Sequence, residues 1–249
     1  MQSRTSDRLR PAPTRETHGR VSLAVAAVLI SAVLFAIGYR LWPVGTDALA
    51  VEDGIVETAQ AALLLLSSIL LFLAAFRARG RSPWLGAFAF GFFVVAGEEI
   101  SWGQRILGID TPESLERANV QGELNLHNIA GINGSVRAVA VAGLVMIFMA
   151  LPAFRRLSAR VDSMSERLRL PDVPLLALVP TTVALAFMVG PRVFGNGLNF
   201  TLDEIGELYV YLALLLFAGV AFRRWVQQAD RSTVTTSPQA ARDTTISDV

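Results

Sequence analysis

The chain contains no cysteine in its 249 residues and only two histidines, His18 and His127. Without cysteine there are no disulfides, no thiolate nucleophiles and no thiolate metal ligands. Any chemistry must therefore use carboxylates, hydroxyls and the one histidine that lies outside the first twenty residues.

Lysine is also absent, so all 22 basic residues are arginine, and the 21 acidic residues nearly balance them at a net charge of +1. This balance does not favour nucleic acid as a partner. The composition is instead 53% apolar, with a mean hydropathy of +0.48. A soluble domain of this size rarely needs so many apolar runs, so the composition predicts a polytopic membrane protein.

Six apolar stretches approach the ~20 residues that a helix needs to cross ~30 Å of hydrocarbon. We therefore predict an all-α fold: a six-helix transmembrane bundle at 21–225, between a cytoplasmic tail at 1–20 and a disordered cytoplasmic tail at 226–249. The predicted spans are Val21–Trp42, Ile55–Phe76, Trp84 to about Leu107, Val136–Leu151, Val173–Gly190 and Ile205–Phe222.

The arginines are distributed unequally between the two ends of these spans. Seventeen fall on the side of the two termini and five on the other side, which carries 13 of the 21 carboxylates. Because arginine-rich segments stay in the cytoplasm, both termini are predicted to be cytoplasmic. The expected location is the bacterial cytoplasmic (inner) membrane, with the lipid bilayer as partner.

The stretch from Gly97 to Asn128 brings two deep acids and the second histidine to the acidic side. Glu98 lies ~21 Å along a helix that starts at Trp84, which is still within the hydrocarbon, and Glu207 has a similar depth. On a continuous helix, a polar stripe forms at i, i+3, i+4 and i+7, made of Glu98, Ser101, Trp102 and Arg105. The stripe is either functional or a structural Glu98–Arg105 network with Trp102 in the interfacial aromatic belt.

The outer connection at 108–134 is long for a link between neighbouring helices, and long structured connections are often functional. Thr111-Pro112-Glu113 predicts the start of a short helix that ends near Ala118. Gly122 then breaks the chain, and the mixed apolar and amide residues that follow predict a segment folded back against the bundle.

These residues define a candidate site on the acidic side. A divalent ion, whether manganese, magnesium, iron or zinc, would be held by an oxygen-rich set: Glu57, Glu98, Glu99, His127 and Glu207. The candidate catalytic residues are Glu98 or Glu99 as general base, His127 and Arg105. The candidate substrate-binding residues are Arg105, which would hold an anionic headgroup, Trp102 and Asn128.

Three functions fit this pattern. The first is a membrane-embedded hydrolase or transferase acting on a lipid-linked or amphiphilic substrate. The second is a transporter or ion-binding protein that uses the same carboxylates. The third is a membrane scaffold whose acids only hold helices together. The GEEISWGQR and NVQGELNLHN segments, with EDGIVE before them, resemble a family of bacterial multi-pass membrane proteins, and this resemblance implies the fold alone.

Overall fold

The computed structural model describes residues 15–50, 54–79, 82–119, 122–126, 129, 139, 141–168, 170, 172–194 and 199–234. This part of the chain is helical apart from its connections and one isolated bridge between Asn119 and Ile129. The helices are α1 (Arg15–Leu41), α2 (Pro43–Leu49), α3 (Ile55–Ala78), α4 (Pro83–Glu99), α5 (Gln104–Leu107), α6 (Glu113–Ala118), α7 (Val141–Leu157), α8 (Ala159–Arg167), α9 (Leu178–Val193) and α10 (Phe200–Val234).

Four segments in the described part are long and apolar enough to cross a membrane: Val21–Leu41, Ile55–Ala78, Leu175–Val193 and Phe200–Gln227. A fifth crossing is possible if α7 and α8, which meet at an angle of 119°, form one broken span. The all-α, multi-pass prediction is confirmed at this level. The count of six spans is not reached, because α4 has only 17 residues.

The bundle is organised around α3 and α10, which pack against each other, with α4 against α3 and α9 against α10. Their buried core contains small and aromatic residues, among them Ala74, Ala213 and Ala218 at 0% exposure and Phe217 at 2%. Small residues let helices approach closely inside a membrane, where packing rather than water exclusion drives association. We call the end of the bundle with Glu57, Glu99 and Glu204 the acidic end, and the opposite end, with Arg155 and Arg224, the arginine-rich end.

The third predicted span was wrong in its outer part. Helix α4 ends at Glu99, not near Leu107, because the backbone turns into the left-handed region at Ser101 (φ 46°), Trp102 (φ 55°) and Gly103 (φ 73°). A helix cannot continue through such residues, so the four side chains of the predicted stripe do not lie on one continuous helix. The short helix α5 follows this break.

Other boundaries differ by smaller amounts. The fourth helix continues to Leu157 rather than Leu151 and includes a π-helical segment, Val145–Ala150. Helix α10 extends to Val234, so 226–234 is helical where a disordered tail was expected, and 235–249 lies outside the described residues. The predicted helix in the outer connection is confirmed as α6, and Gly122 has the left-handed φ of 72° expected of a chain break.

Candidate functional site

The break after α4 is built around the ring of Trp102. The indole lies directly on Gly97, so close that a Cβ at that position would be 2.8 Å from the ring. The indole Nε1 donates a 2.7 Å hydrogen bond to Oε1 of Glu98. Two adjacent non-glycine residues at positive φ cost about 1–3 kcal/mol each, and the contacts of Trp102 offset this strain.

The outer connection docks on this break through the second oxygen of Glu98. The backbone N–H of Leu126 donates a 2.6 Å hydrogen bond to Glu98 Oε2. The backbone N–H of Leu124 donates to Oε1 of Gln104 at 2.7 Å, and the Gln104 amide in turn donates to Thr111. The prediction that this connection folds back against the bundle is confirmed for 122–126, and Glu98 acts there as an anchor.

A buried network of hydrogen bonds also links the break after α4 to the outer connection. Ser101 donates a 2.5 Å hydrogen bond to Oε2 of Glu123, which also accepts from the Asn125 amide at 2.9 Å. The Asn119 amide donates to the backbone oxygen and Oδ1 of Asn125 at 2.8 and 2.7 Å. All four side chains are buried, so the network fixes the left-handed backbone of Ser101 to the outer connection.

A second group of acids lies between α3, α4 and α10, and we call it the carboxylate cluster: Glu57, Glu99, Glu204 and Glu207. Glu99, which is 8% exposed, lies near enough to the other three for its charge to be repelled by theirs, most strongly by Glu207. The hydroxyl of Tyr211 donates a 2.7 Å hydrogen bond to Glu99 Oε1. Three helices therefore bring like charges together at one depth.

Gln60 lies one helical turn below Glu57 and is completely buried. Its Nε2 donates to the backbone oxygen of Glu204 at 2.8 Å and to Glu204 Oε2 at 3.3 Å. Because these bonds fix the amide, its Oε1 faces elsewhere, and no donor among the described residues reaches that oxygen. A buried acceptor without a hydrogen bond lowers the stability of the folded state by about 1–3 kcal/mol unless a donor or a cation binds to it.

Arg192 and Asp203 form an ion pair at this end of the bundle. The guanidinium of Arg192, on α9, makes two hydrogen bonds to the carboxylate of Asp203, on α10, with distances of 2.7 and 2.8 Å. The Asp203 side chain is 4% exposed. This pair ties α9 to α10, and the charge of Arg192 also interacts with that of Glu207 in the carboxylate cluster.

The predicted site residues divide into three groups. Glu57, Glu99 and Glu207 lie at the same end of the bundle, where the charges of the other two act on Glu99, whereas Glu98 turns to Trp102 and Leu126. Arg105 lies in α5, but its side chain is outside the described part of the chain, as are His127 and Asn128 altogether. No three His, Asp or Glu side chains of the described residues converge to hold a metal ion, and the metal site stays a prediction.

Sequence reasoning missed Tyr211, Gln60, Glu123 and Asn125. Tyr211 lies four residues after Glu207 and so on the same helix face, which is a signal that the spacing offered. Gln60 follows Glu57 by three residues in the same way. Glu123 and Asn125 had no such signal, because their partners depend on the fold of an irregular loop.

The comparisons with known proteins identify no family: no protein-family model, curated protein or solved structure matches the chain. The resemblance carried by the GEEISWGQR and NVQGELNLHN segments therefore remains a prediction.

Proposed function

We propose that this is a multi-pass membrane protein that binds a cation at the carboxylate cluster. One observation carries the proposal: Glu99 is buried at the junction of three helices, where the charges of three other carboxylates act on it. A buried carboxylate in the field of like charges is stable only when a positive charge or a proton compensates it. A site of this kind gains its affinity from the repulsion that the ligand relieves.

The Oε1 atom of Gln60, which no donor among the described residues reaches, supports the same proposal independently. It is a buried neutral acceptor one helical turn from Glu57, and amide oxygens bind both metal cations and protonated donors. Its Nε2 contacts Glu204, so this acceptor belongs to a side chain that adjoins the cluster.

The polar groups of the cluster end toward the middle of the bundle. Next to Tyr211 the helices are packed by Leu64 and Ala96. The buried hydroxyls of Ser67 and Ser68 follow on α3, but each donates to a backbone oxygen, and the apolar core of Leu71, Ala213 and Phe217 comes next. A path for a cation would need charged or several coordinating side chains in this region. We therefore favour a cation bound from the acidic end over a cation carried across the membrane.

The proposal includes the topology. We propose that α4 also spans the membrane, since it packs along α3 and its 17 residues cover ~25 Å of the ~30 Å hydrocarbon layer. With α7 (Val141–Leu157) as a further crossing this gives six. The arginine asymmetry then places both termini in the cytoplasm of a bacterial cell and the cluster at the outer leaflet.

The hydrolase or transferase hypothesis stays a prediction, because it depends on His127, Asn128 and the side chain of Arg105. Glu98, its candidate general base, uses both carboxylate oxygens to hold Trp102 and the outer connection. These bonds fit an anchor better than a base that must accept a substrate proton.

The test compares cation binding by the full-length protein and by Glu99→Gln in lipid nanodiscs. Binding of Na⁺, Ca²⁺, Mg²⁺, Mn²⁺ and Zn²⁺ is measured by calorimetry, and bound protons are detected by the infrared band of protonated carboxyl groups. We expect either saturable metal binding or a protonated carboxyl at pH 7, and loss of that signal in Glu99→Gln.

Glu113→Gln is the matched control, since Glu113 lies on α6 with a side chain 82% exposed and paired with Arg117. It should bind as the unmodified protein does. If neither metal nor proton is detected, or if both variants behave alike, the cluster is a structural feature and the scaffold hypothesis replaces the proposal.

A further inference from the structure

The arginine-rich end carries a helix that departs from the bundle. Helix α7 contributes Leu144 and Phe148 to the core and therefore runs along the bundle, but the chain bends by 119° into α8. Ser158 makes the bend in an extended conformation (φ −137°, ψ 110°), and its Oγ accepts from the Val161 N–H and caps α8. Helix α8 thus runs closer to the plane of a membrane than to its normal.

Helix α8 has an apolar stripe that is partly exposed. Val161, Met164 and Leu168 follow each other at intervals of three and four residues, which places them on one face of α8 and its C-terminal cap. Met164 is 55% exposed and Leu168 is 48%, whereas Val161 is half-buried. Buried Ser165 lies beside this stripe, four residues after Val161, and the opposite face, with Ser163, is exposed.

A parallel stripe of arginines lies about 100° around the helix from the apolar one. Its members are Arg160 and Arg167, seven residues apart, and both are exposed. Within the described residues neither of them forms an ion pair, whereas Arg155 is occupied by Asp162 and Asp172. The surface of α8 therefore has free positive charge next to an exposed apolar face.

We propose that α8 lies in the membrane interface and binds the phosphate groups of anionic phospholipids through Arg160 and Arg167. An apolar face submerged at the headgroup boundary, flanked by arginines, is the arrangement of interfacial helices. Anionic headgroups complement these charges, and arginine binds phosphate with two parallel hydrogen bonds. Zwitterionic lipids fit the same apolar face but leave the arginines uncompensated.

The lipid test uses the full-length protein in nanodiscs of phosphatidylcholine with a fixed fraction of phosphatidylglycerol. Lipids that remain bound after transfer to detergent are counted by native mass spectrometry. We expect several-fold enrichment of phosphatidylglycerol, falling as salt is raised, and loss of most of it in the Arg160→Gln/Arg167→Gln variant. Arg117→Gln on α6, also an exposed arginine, should keep the enrichment.

A second measurement tests the position of α8 without removing an arginine. Because the chain has no cysteine, Met164→Cys and Ser163→Cys each give a single labelling site. A fluorophore at residue 164 should be quenched by lipids brominated in their acyl chains, and one at residue 163 by a water-soluble quencher. Equal water quenching at both positions, or phosphatidylglycerol enrichment that survives in the double arginine variant, would overturn the proposal.

Discussion

The hydroxyl of Tyr211 donates a 2.7 Å hydrogen bond to Oε1 of Glu99, joining α10 to α4 at the acidic end. Both side chains are 8% exposed, so water does not compete for this bond. A hydrogen bond to a charged group contributes about 1.5–3 kcal/mol, more than a bond between neutral groups. Tyr211 is thus the residue that holds Glu99 within the carboxylate cluster.

Tyr211→Phe removes this donor and leaves the carboxylate of Glu99 buried without it. We expect the free energy of unfolding to fall by about 1.5–3 kcal/mol, measured by unfolding in mixed micelles of a mild and a denaturing detergent. The control is Tyr209→Phe, two residues away, which loses only a 2.8 Å hydrogen bond with Ser31. That change should cost about 0.5–1.5 kcal/mol, and equal losses would contradict the role of Tyr211.

Glu99→Gln should act in the opposite direction. Glutamine keeps an oxygen that accepts from Tyr211 but removes one charge from a site where it is repelled by three others. In metal-free buffer at pH 7 we expect a gain of about 1 kcal/mol or more, because uncompensated buried charge is costly. Thermal unfolding of the variant should also become insensitive to added cations. A loss of stability in metal-free buffer would show that the charge of Glu99 is already compensated within the protein.

Gly97→Ala tests the contact between the Trp102 ring and Gly97. A methyl group at residue 97 would be 2.8 Å from the indole ring, so the ring must move and lose its hydrogen bond to Glu98. We expect a destabilisation of about 1–3 kcal/mol and a shift in the Trp102 emission spectrum. Gly91→Ala, in the same helix with nothing within 4 Å, is the control and should gain up to about 1 kcal/mol in helix propensity. Equal changes in stability in Gly97→Ala and Gly91→Ala would contradict the proposed contact between Gly97 and the indole.

The apolar runs predicted the long helices well, because helix length in a membrane follows from the thickness of the hydrocarbon. They predicted the end of α4 poorly. Ser101 and Trp102 have no intrinsic preference for positive φ. The chain turns there because Gly97, which has no side chain, leaves room for the indole ring and because the Glu123 carboxylate accepts a hydrogen bond from Ser101. The hydrogen bond between Ser101 and Glu123 joins residues 22 positions apart, and no local pattern reveals it.

The candidate site was also predictable only in part. Glu57, Glu99 and Glu207 lie on regular helices, so depth along each helix is enough to predict that they share one level. Glu98 and Glu99 are adjacent and looked equivalent, yet one meets the loop and the other the bundle. Which neighbour faces the interior depends on the rotation of α4, which a nearly uniform apolar helix does not encode.

At the arginine-rich end, Asp172 predicts a pH dependence. Burial raises the pKa of the Asp172 carboxyl, but hydrogen bonds and charge from Arg224 and Arg155 outweigh burial, so its pKa lies below the ordinary 3.8. The resulting stabilisation is present above pH 3.8 and is lost as the pH falls through the lowered pKa of the folded state.

Asp172→Asn should therefore lower the thermal midpoint at pH 6, and its difference from the unmodified protein should shrink as the pH falls through the lowered pKa of Asp172. The Asp172 side chain is 37% exposed, so added salt should reduce the difference. Asp110→Asn, an exposed acid in the outer connection, is the control. A constant difference between Asp172→Asn and the unmodified protein across this range would contradict the linkage.

The ion pair between Arg192 and Asp203 gives the largest expected effect of a single substitution. Arg192→Met leaves Asp203, whose side chain is 4% exposed, without its cation. Breaking a buried pair costs about 3–5 kcal/mol, and the partial exposure of Arg192, at 31%, favours the lower end of that range. Arg117→Met breaks the exposed pair with Glu113 and should cost less than about 1 kcal/mol.

The double variant Arg192→Met/Asp203→Leu separates the ion pair from the packing around it. It removes both charges, so the uncompensated carboxylate that destabilises the single variant is gone, and apolar replacements of buried ion pairs are often neutral or stabilising. We expect most of the lost unfolding free energy to return in the same detergent titration. If the double variant is as unstable as the sum of the two single variants, the arginine and the aspartate act independently, and the ion pair does not hold α9 against α10.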